Sequence, residues 1–166
     1  KRHLDVAHFL SNEGDFDGAL IWTQKSSLLP GGRIKSLVAE AFHALRAKRS
    51  EQAVQAFSAA LREKAARALM ESDALMELAL KSDEGCSLLP AIAALPKDIG
   101  PIGMYAEYRL GLSCNGRSEE AFGNLLLIAD AGIPEVPAFA AHTALKWGKF
   151  EQAEQLLTAY IQKWGA

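Results

Sequence analysis

The stretch Gly14-Asp15-Phe16-Asp17-Gly18-Ala19 decides the fold, because blocks of the same kind return three more times along the chain. An acidic residue stands two positions before the alanine of every block, and a glycine stands five positions before three of the four alanines. A constant period of about 20 to 50 residues is typical of stacked helical repeats. The block alanines are separated by 34, 68 and 32 residues, so one block is degenerate near Ser87: Ala19, Ala53, Ala121 and Ala153.

Composition limits the classes of protein to which the chain can belong. Its 166 residues are 49% hydrophobic and 23% charged, which is typical of one globular domain or a short repeat array. A net charge of −2 and a pI near 6.1 argue against nucleic acid as a partner. No apolar run reaches the roughly 18 to 20 residues of a membrane span, so we expect no direct membrane insertion.

The chain begins at Lys1 without an apolar signal region, and we interpret it as a fragment of a longer protein. Its two isolated cysteines do not form a disulfide framework or a metal-binding pattern. The compartment therefore stays open between the cytoplasm and the periplasm, with the cytoplasm slightly favoured.

Hydrophobic periodicity predicts an all-α fold of ten helices in five antiparallel hairpins. One hairpin of short amphipathic helices cannot bury its apolar face alone, so we expect the hairpins to stack into a right-handed α-solenoid. We treat the chain as a single array, with approximate units at residues 1–33, 34–67, 68–101, 102–134 and 135–166.

Several local features are expected within this array. Ser50 is predicted to be the N-cap of the fourth helix. The glycine-free stretch 50–82 forms either one long helix or two helices with a soft break near residues 71–73, and we favour the break. Pro90 indicates that the next helix begins only there. The last helix is predicted to bury its apolar stripe, Ala153, Leu156, Leu157, Tyr160 and Ile161.

No arrangement of residues predicts catalysis. The four histidines lack the helical i, i+4 spacing of a metal site, and no phosphate-binding or nucleophile-elbow motif is present. Cys86 and Cys114 are interpreted as buried thiols rather than nucleophiles. We therefore expect no enzymatic activity, no metal site and no cofactor.

The repeat resembles the tetratricopeptide repeat family, in which small residues allow paired helices to approach closely. In unit one the resemblance rests on Ala7, Leu10, Gly14, Phe16 and Ala19; in unit two on Ala41, Ala53, Phe57 and Ala60; and in unit five on Ala141, Ala144, Gly148, Phe150, Ala153 and Leu157.

The third and fourth units depart from the family pattern. In unit three, Leu75 and Ser87 occupy the places of small residues. In unit four, Arg109 falls where a small residue belongs, unless the turn is two residues shorter and Gly111 takes that place.

The resemblance implies a concave groove lined by the first helix of each hairpin, where a partner protein or peptide binds. Leu80, Leu110 and Leu145 could instead be packed between units. Members of the family that bind chaperone tails hold a terminal carboxylate with a clamp of lysine and asparagine. Leu4 and His8 occupy the clamp positions of the first unit here, so we do not expect that activity. The implied groove residues are His8, Asn12, Lys35, Val38, Phe42, Leu45, Arg46, Met76, Leu80, Leu110, Cys114, His142, Leu145 and Lys146.

These features predict a non-catalytic interaction scaffold whose groove suits an amphipathic helix or an extended segment with acidic character. The loose, alanine-rich repeats are similar in style to those of bacterial secretion, envelope or exopolysaccharide assembly, where other subunits of a membrane-associated complex could be partners. An alternative is a regulatory or packing domain of a multidomain enzyme, with no separable ligand. Recognition of single-stranded RNA is disfavoured by the net acidity.

Overall fold

The computed structural model describes residues 2–29, 31–96, 99–114 and 116–165. This part of the chain is helical and contains no strand, which confirms the prediction that the fold is all-α. The chain forms two compact units, Lys1–Ile99 and Gly100–Ala166. The described helices are α1 Arg2–Asn12, α2 Phe16–Ser27, α3 Arg33–Arg46, α4 Ser50–Met70, α5 Asp73–Ala79, a 3-10 helix Asp83–Leu88, α6 Leu89–Ala93, α7 Pro101–Gly111, α8 Ser118–Leu127, α9 Glu135–Lys146 and α10 Phe150–Trp164.

In the first unit, helices that follow each other along the chain are neighbours in space. α1 packs on α2, α2 on α3, and α3 on α4, while α1 and α3 also touch. At the end of this unit the packing is no longer only between consecutive helices. α5 packs on α3, and the 3-10 helix packs on both α4 and α5. The largest side chains that are fully buried here are Leu45, Phe57, Leu75 and Leu88.

In the second unit, α7 packs on α8, α8 on α9, and α9 on α10. Gly111 lies at a close contact of α7 with α8, since a Cβ atom there would lie 3.0 Å from the Cβ of Ala121. This contact agrees with the shorter-turn alternative for unit four, in which Gly111 rather than Arg109 takes the small-residue place. Two apolar clusters form the core of this unit, one around Phe122 and one around Leu125.

One turn recurs three times, between α1 and α2, α3 and α4, and α9 and α10. Its central residue has a positive φ: 86° at Gly14, 58° at Lys48 and 71° at Gly148. The next amide then donates to a carbonyl five residues earlier, at 2.9, 2.8 and 2.9 Å, as in a Schellman cap. The bonds run from Asp15 to Leu10, from Arg49 to Ala44 and from Lys149 to Ala144.

The predicted helix ends are partly confirmed. α4 ends at Met70 and α5 begins at Asp73, so the expected soft break exists. Ser50 is not an N-cap: it is the first helical residue, and Arg49 occupies the cap without a side-chain hydrogen bond. α4 also has an interruption at Lys64, whose backbone is extended. No glycine or proline in the sequence indicates it.

Pro90 lies in the first turn of α6, which begins one residue earlier, at Leu89. A proline is well tolerated there because the first amides of a helix have no intrahelical acceptor. The 3-10 helix before it allows the chain to reach this start without placing the proline in a helix interior.

The predicted burial of α10 is wrong for Leu157 and Ile161, while Leu156 and Tyr160 are partly buried. Ala153 is buried and Leu156 packs against the Phe122 cluster, but 39% of Leu157 and 61% of Ile161 are exposed. α10 packs chiefly on α9, which covers one side of it and leaves the rest of the apolar stripe open. Across the described ranges, no helix combines the length and apolar character needed to cross a bilayer.

Candidate functional site

Helices α1 and α3 bring together four of the predicted groove residues. His8 and Asn12 lie one turn apart on α1, and Phe42 and Arg46 lie one turn apart on α3. Residues four apart share one face of a helix, so each pair points to the same side. The ring of His43 lies next to the rings of His8 and Phe42, at 4.9 and 5.2 Å between centres. We call these five residues the α1–α3 cluster.

Arg46 is the cation at the centre of this cluster, and neutral groups hold its side chain. Its Nη1 donates to Oδ1 of Asn12 at 2.8 Å. Its guanidinium also lies 5.7 Å from the ring centre of Phe16 and 5.9 Å from that of Phe42, within the range of cation–π contact. Within the described residues no carboxylate forms an ion pair with Arg46, so its charge is fixed in place but not neutralised.

Two histidines complete the cluster. The ring of His43 is fully buried and lies 4.9 Å from the ring of His8, which is exposed and also packs edge-on against Phe42 at 6.0 Å. Among the described residues, neither ring nitrogen of His43 has a hydrogen-bond partner. Burial lowers the pKa of His43 to about 4, and His8 and Arg46 contribute in the same direction.

Partial desolvation of the His8 ring, which packs against Phe42 and His43 although much of it is exposed, also lowers the pKa of His8. Asp5 on the same helix opposes this effect, whereas Lys35 and Arg46 on α3 add to it. At neutral pH both histidines are therefore mainly uncharged, and Arg46 with the exposed Lys35 carries the positive charge of this surface.

The other predicted groove residues divide between core and surface. Lys35 is exposed and pairs weakly with Glu71, at 3.9 Å. His142, Leu145 and Lys146 are exposed on α9 in the second unit, and Leu80 is partly buried. The remaining residues are buried, so they cannot line an open surface in this conformation; for Leu110 this agrees with the packing alternative. They are Val38, Leu45, Met76, Leu110 and Cys114.

The sequence missed two features of these candidate residues. His43 was not predicted as part of a site, although it follows Phe42 directly, because a histidine gives no sequence signal of complete burial. The interpretation of Cys86 and Cys114 as free thiols is also wrong, since both are disulfide-bonded.

The α1–α3 cluster presents a cation whose chemistry suits an anionic group. Arg46 offers a planar guanidinium held by a neutral amide and two rings, and planar guanidinium groups match carboxylates in geometry. Comparison of the chain with protein-family models, curated proteins and solved structures gives no match.

Proposed function

We propose that this chain is a non-catalytic interaction scaffold of the tetratricopeptide type, which presents the α1–α3 cluster to a partner protein. The observation that carries the proposal is the state of Arg46. It is held at 2.8 Å by Asn12 and flanked by two aromatic rings, yet no carboxylate among the described residues neutralises it. A guanidinium that is ordered before binding loses less side-chain entropy when a partner carboxylate arrives.

The surroundings of Arg46 support a protein partner with acidic and apolar side chains. His8, Asn12 and Lys35 are exposed, and Phe42 is partly exposed beside them. The surface thus combines cations with an aromatic ring, a combination that favours an amphipathic acidic helix or an extended acidic segment. The recurring turns between the paired helices support the repeat character of the scaffold.

Affinity capture with matched variants tests this proposal. The double variant Phe42→Ala, Arg46→Glu removes the aromatic contact and reverses the charge of the cluster. The control, Met70→Ala with Arg67→Glu, makes the same kind of change at exposed residues of α4, away from the cluster. We expect the first variant to lose specific partners that wild type and control both retain. Equal recovery by all three proteins, each shown by circular dichroism to be folded, would sink the proposal.

A second function, a packing domain of a larger enzyme, is favoured by the exposed apolar stripe of α10. Phe150, Leu157 and Ile161 are 68%, 39% and 61% exposed. An apolar stripe of this kind is suited to burial against a neighbouring domain. The same capture experiment distinguishes the two functions: loss of partners with Leu157→Glu, Ile161→Lys, and not with the α1–α3 variant, would favour the packing domain.

A further inference from the structure

The α1–α3 cluster places a titratable side chain at the edge of the proposed binding surface. His8 is exposed, while His43 behind it is fully buried 4.9 Å away, and Arg46 lies on the same side of α3 as Phe42, which His8 contacts. We propose that this cluster binds the carboxylates of an acidic segment together with a proton, and that His8 takes up the proton. This inference rests on the proposed function, because it concerns the same surface.

The charges around His8 set the direction of this coupling. Asp5 on α1 favours the protonated ring, whereas Lys35 and Arg46 on α3 disfavour it; no charged group of α2, which also packs on α1, contributes. Burial and the two cations together keep the pKa of His8 below its usual value when no partner is bound. A carboxylate that binds Arg46 offsets these cations, so it raises the pKa of His8.

His43 faces His8 and Arg46, and both of them disfavour its protonation. Because burial holds the pKa of His43 at about 4, this ring stays neutral from mildly acidic to alkaline pH. His43 therefore contributes packing but no charge to the surroundings of His8. His8 is thus the group of the cluster whose charge can respond to an arriving carboxylate.

Linkage fixes the sign of the effect. If binding raises the pKa of His8, the complex holds more protons than the free chain at intermediate pH, and affinity rises as pH falls. A rise of one pKa unit corresponds to roughly a tenfold gain in affinity between the alkaline and acidic limits. The glutamates of a partner remain mostly ionised at about pH 5.5, since their ordinary pKa is about 4.3.

The test uses the whole chain and two fluorescein-labelled peptides of about a dozen residues, one alternating pairs of glutamate and leucine, the other with glutamine in place of glutamate. Fluorescence anisotropy gives Kd at about pH 5.5 and about pH 8. Histidine ring resonances in NMR spectra report the pKa of His8 with and without peptide. The variants are His8→Gln and, as a control on the same helix, His3→Gln, whose ring stacks on Trp22 outside the cluster.

We expect the glutamate peptide to bind up to about tenfold more tightly at the lower pH and the pKa of His8 to rise on binding. The ratio should fall to about one in His8→Gln and persist in His3→Gln. Binding that is equal at both pH values, with an unchanged pKa of His8, would overturn this inference but leave the proposed function standing. Absence of binding at both pH values, together with unchanged partner capture by the Phe42 and Arg46 variant, would overturn both.

A single-stranded oligothymidylate of similar length serves as the third probe, because a phosphate could also bind Arg46. We expect it to bind more weakly than the glutamate peptide at both pH values. Tighter binding of the oligothymidylate would overturn the choice of an acidic protein segment.

Discussion

At the scale of single residues, His43 is the side chain whose environment departs most from what its type prefers. It is fully buried, and among the described residues neither of its nitrogens has a hydrogen-bond partner. A buried polar group without a partner costs stability. Leucine avoids this cost, so we expect the histidine to reduce the stability of the first unit relative to leucine.

The pH dependence of unfolding tests this view of His43. Its pKa is about 4 in the folded chain and about 6.5 when unfolded, so the unfolded chain binds more protons between these values. Stability is therefore complete above about pH 6.5 and decreases as pH falls, by up to about 3 kcal/mol near pH 4. Urea unfolding across this range, followed by circular dichroism, measures the loss.

The variant His43→Leu separates this effect from other acid-induced changes. We expect it to remove most of the loss of stability between about pH 6.5 and 4. The matched control is His142→Gln, which changes an exposed histidine and should retain the wild-type profile. An unchanged pH profile in His43→Leu would contradict the burial of a neutral ring at this position.

Lys48 carries an unusual backbone conformation. It has a φ of 58° at the same place in the recurring turn as Gly14 and Gly148. The left-handed conformation costs an L-residue about 1 to 2 kcal/mol. Glycine avoids this cost, but it raises the conformational entropy of the unfolded chain and so gives back part of the gain. We expect Lys48→Gly to raise the free energy of unfolding by about 0.5 to 1 kcal/mol.

Urea denaturation measures this difference, with Lys81→Gly as the comparison. Lys81 is exposed in the turn after α5 but does not have a positive φ. Glycine there should lower stability, because it adds freedom to the unfolded chain and also removes the exposed ion pair of Lys81 with Glu77 at 3.7 Å. If Lys48→Gly destabilised the protein as much as Lys81→Gly, the shared turn conformation would be wrong.

The period of the sequence relates four of the residues that lie together in the α1–α3 cluster. His8 and Phe42, and likewise Asn12 and Arg46, are 34 residues apart, so the repeat placed them at equivalent positions before any contact was known. The sequence does not indicate the backbone conformation of Lys48, because lysine seldom adopts a positive φ. The other three blocks have a glycine at this position: Gly14, Gly116 and Gly148. Complete burial of His43 depends on its packing partners, which residue type alone does not specify.

At the scale of helices, pattern predicted where elements lie better than what covers them. The break between α4 and α5 followed from polar residues near Ser72, and the structure contains it. The apolar stripe of α10 predicted a buried face, yet Leu157 and Ile161 are exposed. A helical period shows which residues share a face, but burial requires a second element against that face.

Gly85 and Gly123 both lie inside helices but differ in the space around their Cα atoms. Gly85 in the 3-10 helix is buried, and a Cβ atom there would overlap the carbonyl oxygen of Ala79 at the end of α5. Gly123 lies within α8, and a Cβ atom there would meet nothing. We expect Gly85→Ala to cost about 1 to 3 kcal/mol, and Gly123→Ala to stabilise by about 0.5 to 1 kcal/mol.

Thermal and urea unfolding of the two variants measure these opposite effects. Each change adds one methyl group at a glycine, so each variant is the control of the other. If Gly85→Ala left the free energy of unfolding unchanged, the 3-10 helix would not pack on the end of α5. A destabilising Gly123→Ala would mean that α8 is not regular at this residue.

At the scale of the whole molecule, the same ion pair occurs once in each compact unit. Arg49 contacts Asp17 at 2.6 Å, and Lys149 contacts Glu119 at 3.4 Å. Each acid stands two residues before a block alanine, and each base stands four residues before the next one. The sequence suggested only that the acids favour helix starts, whereas the structure shows that they also link successive blocks.

Double-mutant cycles test whether these pairs are equivalent links. For Asp17→Ala with Arg49→Ala, and for Glu119→Ala with Lys149→Ala, we expect coupling of about 0.2 to 1 kcal/mol at low salt. The cycle cancels the separate interaction of each acid with its helix dipole, so the remainder belongs to the pair. The shorter Asp17–Arg49 pair should give the larger value, and salt should reduce both because all four side chains are substantially exposed. Coupling in one unit and none in the other would mean that the block repeats in sequence without repeating the contact, and the two units would then need separate explanations.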